Sequence, residues 1–142
     1  MASRDIKDLR PEAQVLAQRF ILSAANAGVD FIITCTLRSL DEQASLYAKG
    51  RTSPPLGSQY WVTKAPQGSS AHNYGLAFDF VPSHAGKPVW DEKDPAWAVL
   101  GAIGTACGLD WGGTWVERGI TKNFNDLPHL QHPDWKRLAG VK

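Results

Sequence analysis

The 142-residue chain has only two cysteines, Cys35 and Cys107. Two are too few for a disulfide framework, and their isolation excludes paired CxxC ligation of a metal. Both are expected as packed thiols rather than as a disulfide. Charge of one sign is also missing, since 15 Lys and Arg stand against 14 Asp and Glu. Without a basic stripe, nucleic acid is not expected as a partner. No apolar run is long enough to span a bilayer, so membrane insertion is not expected either. The opening residues lack the uninterrupted apolar stretch of a secretion signal, so the new chain is expected in the cytoplasm of the cell that makes it. Repeats, low-complexity tracts and linkers are absent too. Residues 1–142 are therefore expected to form one domain, large enough to bury its own core, and a monomer.

What is present reads as an α+β chain. Residues 11–27 predict a helix, with Pro11 at its first position, a stripe at Val15, Leu16, Ala17, Phe20, Ile21 and Ala24, and Gly28 as its stop. Residues 31–36 are apolar and β-branched and predict a buried strand. Ser39 and Glu42 form a capping box for a second helix ending near Lys49. Residues 51–70 predict a long loop with a short strand near Tyr60, Trp61 and Val62. Further strands are expected at residues 76–81 and 88–90, with a turn at 83–87 between them. Asp94 and Pro95 open a third helix that ends at Gly108. A last strand is expected at 127–131, and helical structure in the tail at 135–138. The sum is about three helices packed around a small, mainly antiparallel sheet, with the site described next in a cleft.

Two polar clusters carry the chemistry. Ser70-Ala71-His72-Asn73-Tyr74-Gly75-Leu76-Ala77-Phe78-Asp79 supplies one imidazole and one carboxylate. Asn125-Asp126-Leu127-Pro128-His129-Leu130-Gln131 supplies another of each. Three protein ligands, a position left for water and a nearby carboxylate make a catalytic zinc site. On one helix His72 and Asp79 would lie about 10 Å apart, too far for one ion. Gly75 can bend the chain so that His72 folds back toward Asp79. A carboxylate inside Leu-Ala-Phe-Asp-Phe-Val is hard to bury without a partner, which favours Asp79 as a ligand. His129 and Gln131 can share a strand face, and Asp126 can stand beside the bound water. Taken alone, residues 125–128 would be only a turn; taken with the first cluster, they point to catalysis. His84 and His132 are poor ligand candidates.

Arg38 closes the first strand, either as a structural charge or as a group that stabilises an oxyanion. Gln43, one turn into the second helix, could hold Arg38 or a substrate. Of the six tryptophans, Trp61, Trp111 and Trp115 lie near Gly-rich loops and could wall a cleft.

These residues resemble the zinc peptidases of the D-alanyl-D-alanine and L-alanyl-D-glutamate peptidase family. The match is to Ser-x-His-x-x-Gly-x-Ala-x-Asp, here Ser70, His72, Gly75, Ala77 and Asp79, and to acidic-x-x-His, here Asp126 and His129. Thr36-Leu37-Arg38-Ser39 with Gln43 looks like the family's arginine-bearing segment. The resemblance implies that His72, Asp79 and His129 bind Zn2+, that Asp126 is general base and then acid, and that Arg38 stabilises the transition state. Ser70 and Gln43 would support substrate or metal geometry; from their place near the Gly-rich loops, Trp111 and Trp115 are expected beside the substrate. It further implies a peptidoglycan endopeptidase that hydrolyses the L-Ala–D-Glu bond of bacterial stem peptides with metal-activated water. Asp rather than Glu at the proton-moving position is similar to phage endolysins. A bacteriolytic protein built in the host cytoplasm and released to the wall is therefore expected, with no separate wall-binding domain. The alternatives are a D,D-carboxypeptidase or dipeptidase acting on D-Ala-D-Ala termini, and a zinc-containing wall-binding module without catalysis.

Overall fold

Helix α1 (Pro11–Ala27) buries Ala13, Ala17, Phe20 and Ala24, one stripe at helical spacing, and ends at Gly28. The computed structural model describes residues 2–142. Val15, expected in the stripe, faces solvent instead, and Ala13 takes the inward position. Strand β1 (Phe31–Cys35) follows. Helix α2 (Leu40–Ala48) is started by the expected capping box: Ser39 Oγ accepts from the Glu42 amide and Glu42 Oε1 from the Ser39 amide, each at 3.0 Å. The short strand expected near residues 60–62 is not formed. Ser58–Tyr60 is a 3-10 turn, and carbonyls of the loop accept from side chains, Thr63 from Arg51, Ala65 from Gln43 and Gly68 from Tyr74.

Strand β2 (Ala77–His84) runs past the expected end at Val81, because β3 (Lys87–Pro88) returns beside it. The turn is only Ala85 and Gly86, both at positive φ, as a two-residue hairpin requires. Helix α3 (Ala96–Ala106) is entered through Asp94, whose carboxylate accepts from the Ala96 amide at 2.9 Å. Strands β4 (Asp110–Trp111) and β5 (His129–Gln131) complete the sheet, and the short α4 (Trp135–Ala139) closes the chain. Three substantial helices and a short fourth thus accompany an antiparallel sheet of order β1-β2-β5-β4, with β3 on the end of β2. Among the described residues no helix is long and apolar enough to cross a membrane.

Phe20 of α1 packs on Phe31, Phe78 and Phe80 with centroids 4.9, 5.6 and 5.7 Å apart, and Trp97 of α3 adds to Phe80 at 5.6 Å. Helix α3 comes close because it has no side chain where it touches the sheet. A Cβ at Gly101 would lie 2.3 Å from Trp111, and one at Gly104 2.6 Å from Leu130. Since Phe78 and Phe80 point to these helices, alternation along β2 sends Ala77 and Asp79 to the other face. There the register sets Cys35, Asp79 and His129 in one row across three strands. The next row holds Ala77, Gln131 and Asp110.

Candidate metal centre and active site

Residues Ala71–Tyr74 form a 3-10 turn, and Gly75 ends it at φ 67°. A Cβ there would lie 3.1 Å from the Arg10 amide nitrogen, so both conformation and space favour glycine. Ser70 caps the turn, its Oγ accepting from the His72 amide. The bend carries His72 to the polar row, with Nε2 3.0 Å from Asp79 Oδ1. From β5, His129 brings Nδ1 to 3.3 Å from the same oxygen. The two rings are 5.0 Å apart, edge to face.

Each ring is oriented from behind. His72 Nδ1 lies 2.8 Å from the Thr36 carbonyl, and His129 Nε2 lies 2.8 Å from Gln131 Oε1. Both partners only accept, so both rear nitrogens carry hydrogen and both neutral rings turn a lone pair to Asp79. Two lone pairs facing a carboxylate need a cation between them. The separations of 3.0 and 3.3 Å suit donors around one ion, since a tetrahedral site with bonds of about 2.0 Å has edges of roughly 3.3 Å. Nitrogen, nitrogen and oxygen from a bent turn and two strands are a donor set suited to zinc. In the metal-free chain a proton takes that place. Burial opposes charge on His72, but the Asp79 carboxylate and Cys35 outweigh it and push its pKa up to about 10. Burial likewise opposes charge on Asp79, yet the two imidazoles hold it well below the usual carboxylate range.

Cys35 has a place that the sequence pattern did not reveal. With His72 and Asp79 it offers three ligand atoms within 4.8 Å of one another. Its sulfur, however, lies 3.7 Å from Nδ1, the rear nitrogen of His72, and 3.5 Å from Arg38 Nη2. The lone pairs meet on the His129 side, so the thiol backs the site. Both cysteines are free, Cys35 buried and Cys107 half-buried.

The row opens into a cleft of about 570 Å³ lined by Arg38, Ser70, His72, Asp79, Trp115, Asp126 and His129, among others. Arg38 Nη2 stands 3.9 Å from Asp79 Oδ2, and Nη1 donates to Gln43 Oε1 at 2.8 Å. Gln43 is fully buried and donates in turn to the Ala65 carbonyl, so it holds Arg38 rather than lining the cleft. Asn73, not singled out in the sequence, donates to the Arg38 carbonyl at 3.0 Å. Trp115 lies 5.2 Å from the His129 ring and lines the cleft. Trp111 does not: its Nε1 donates to the Leu127 carbonyl and its ring packs on Gly101 of α3. Trp61 lies 4.1 Å from the Arg51 guanidinium, beside the cleft mouth. His84 is exposed and reaches Asp94, while His132 Nδ1 accepts from the Asp134 amide. Neither joins the site.

Asp126 faces the cleft, and its carboxyl group makes no protein hydrogen bond among the described residues. Burial raises its pKa, a shift that His129 opposes and Asp79 reinforces. Its backbone is seated on Gly112, through the Asp126 amide to the Gly112 carbonyl at 2.9 Å. A Cβ at Gly112 would lie 2.3 Å from the Asp126 carbonyl oxygen. Gly112→Ala is therefore expected to displace Asp126 and destabilise the fold by about 1–3 kcal/mol. Thermal unfolding together with turnover checks this.

Residues 63–132 match the model of the D-alanyl-D-alanine carboxypeptidase family. The chain is 37% identical over 132 residues to the peptidoglycan L-alanyl-D-glutamate endopeptidase CwlK of Bacillus subtilis (strain 168), covering 87% of this chain and 73% of that one. Its fold is shared with the L-Ala D-Glu endopeptidase ChiX of Serratia marcescens, with TM-score 0.65 and 20% identity over 96% of this chain and 92% of that one. It is also shared with a mutant of the vancomycin-resistance D,D-pentapeptidase VanY in complex with Zn(II), with TM-score 0.67 and 18% identity over 94% and 80%. By the extent of the match to CwlK and by the family model, the chain belongs to the D-alanyl-D-alanine carboxypeptidase family of peptidases.

Proposed function

We propose that this protein is a zinc-dependent peptidoglycan endopeptidase that hydrolyses the L-Ala–D-Glu bond of stem peptides. The observation that carries the chemistry is the meeting of two imidazole lone pairs on one oxygen of Asp79, at the floor of a cleft that Asp126 also faces. The choice of bond is supported by the likeness to CwlK. His72, Asp79 and His129 would hold the ion, which when bound would supply a Lewis acid that polarises a carbonyl and acidifies water. Asp126 accepts the proton of the attacking water and passes it to the amine that leaves. The Arg38 guanidinium, held by Gln43, faces the negative charge that develops on the carbonyl oxygen. Lys64 and Lys136 on the cleft lining suit a peptide that carries carboxylates.

Digestion of purified peptidoglycan should expose a free amine on D-Glu, identified by mass spectrometry of the new termini. Released D-Ala in its place would give the reaction to the carboxypeptidase branch. The same reading makes the protein a phage-type lysin, built in the host cytoplasm and acting once the membrane is breached. Its support is the aspartate at position 126. Cells expressing it should grow until a membrane pore is supplied and then lyse; lysis without a pore would remove the lysin reading and leave the bond assignment standing.

A further inference from the structure

We propose that Asp110 and Gln131 are positioning residues that decide which nitrogen of His129 faces the metal. This rests on the reading of His129 as a ligand. The two residues lie opposite each other in the β4–β5 pair, one row along from Asp79 and His129. Asp110 Oδ1 accepts from Trp115 Nε1 at 3.1 Å and from the Arg118 guanidinium, and Oδ2 accepts from Gln131 Nε2 at 3.2 Å. A carboxylate can only accept, so the Gln131 amide must turn its NH2 toward Asp110 and its oxygen toward His129. That oxygen lies 2.8 Å from His129 Nε2 and can only accept as well. The hydrogen is thereby held on Nε2, and the lone pair stays on Nδ1, the nitrogen 3.3 Å from Asp79. Left alone, the amide could flip end for end and present a donor to the ring. Asp110 removes that choice. The same carboxylate anchors Trp115, whose ring packs 5.2 Å from His129 and limits its rotation.

Asp110→Asn reverses the chain of donors at constant shape. The remaining oxygen keeps Trp115 and Arg118, and the introduced NH2 faces Gln131. The Gln131 amide must then flip, which places its NH2 against His129 Nε2 and moves the ring hydrogen to Nδ1. Zinc affinity, measured by chelator competition, should fall about 10–100-fold. Adding Gln131→Glu supplies an acceptor on both sides, toward the introduced amide and toward Nε2. The double variant should recover affinity to within about threefold of the parent. A residue that merely filled space would show no such rescue. Gln131→Met, which keeps the size and removes the acceptor, should weaken zinc like Asp110→Asn and gives a second route if that variant does not fold. Parental zinc affinity in Asp110→Asn or in Gln131→Met, or a double variant no better than Asp110→Asn, would overturn the proposal. His129→Ala tests the premise separately: if it bound stoichiometric zinc with parental affinity, the ligand assignment itself would fall.

Discussion

Asp126→Ala should lower kcat by about 10²–10⁴-fold, the range of a lost general acid–base group, while the protein still folds and still binds one zinc. The carboxyl group faces the cleft with no hydrogen bond among the described residues, so its removal leaves no buried partner unsatisfied. His72, Asp79 and His129 come together without it. Zinc content and thermal unfolding should therefore match the parent, with KM little changed. Asp126→Asn, which keeps the shape but cannot take the proton, should be nearly as inactive. Turnover at the parental rate in either variant would move the proton transfer to another group.

Removing the metal should have a comparable or larger effect. Dialysis against a chelator is expected to reduce hydrolysis to background, with zinc restoring it. His72→Ala should lose zinc and activity together, since it takes away one of two lone pairs that meet at Asp79. The direction of the pH dependence follows from the His72 proton. Its pKa rises from 6.5 to about 10 in the metal-free chain, so at pH 7 zinc must displace a proton from Nε2. His72 thus contributes about a tenfold gain in apparent zinc affinity per pH unit between pH 6.5 and 9. Calorimetry in buffers of different ionisation enthalpy should register the released proton. Stability of the metal-free chain runs the other way. The raised imidazole contributes fully below 6.5, and its contribution is lost as the pH climbs through about 10. Asp79, depressed from 3.8, contributes above that value and loses its contribution as the pH falls below it. Zinc-free protein should therefore be less stable at pH 10 than at pH 6, whereas zinc affinity rises over much of that interval. Zinc affinity that did not change between pH 6.5 and 9 would place the bound proton elsewhere.

The elements most legible in the sequence were those with local causes. The extent of α1 from Pro11 to its stop at Gly28, the Ser39–Glu42 capping box and the bend at Gly75 each depend on residues within a few positions of one another, and each forms as expected. Where the expectation failed, the deciding contact was remote. β2 continues to His84 because β1 and β3 pair with it, against the local signal of Pro82 and Ser83. Val15 is apolar but on the wrong side of a helix whose rotation is set by Phe20 against three other aromatic rings. Trp111 sits near glycines that do not open a cleft wall; Gly101 and Gly113 let helix and loop close on its ring.

By itself the sequence determined which groups are available: two imidazoles, two carboxylates and a guanidinium, on short segments shaped by glycine, proline and a capping box. Residue type sets what an atom can donate, accept or ligate, and local spacing sets how a turn bends. The tertiary structure alone decided the register that lays Cys35, Asp79 and His129 in one row and Asp110 beside Gln131 in the next. Strand register depends on packing between distant segments, and a slip of one residue would have sent every one of these side chains to the opposite face. For that reason the ligand types could be read along the chain, whereas the hydrogen bonds that aim each nitrogen could not.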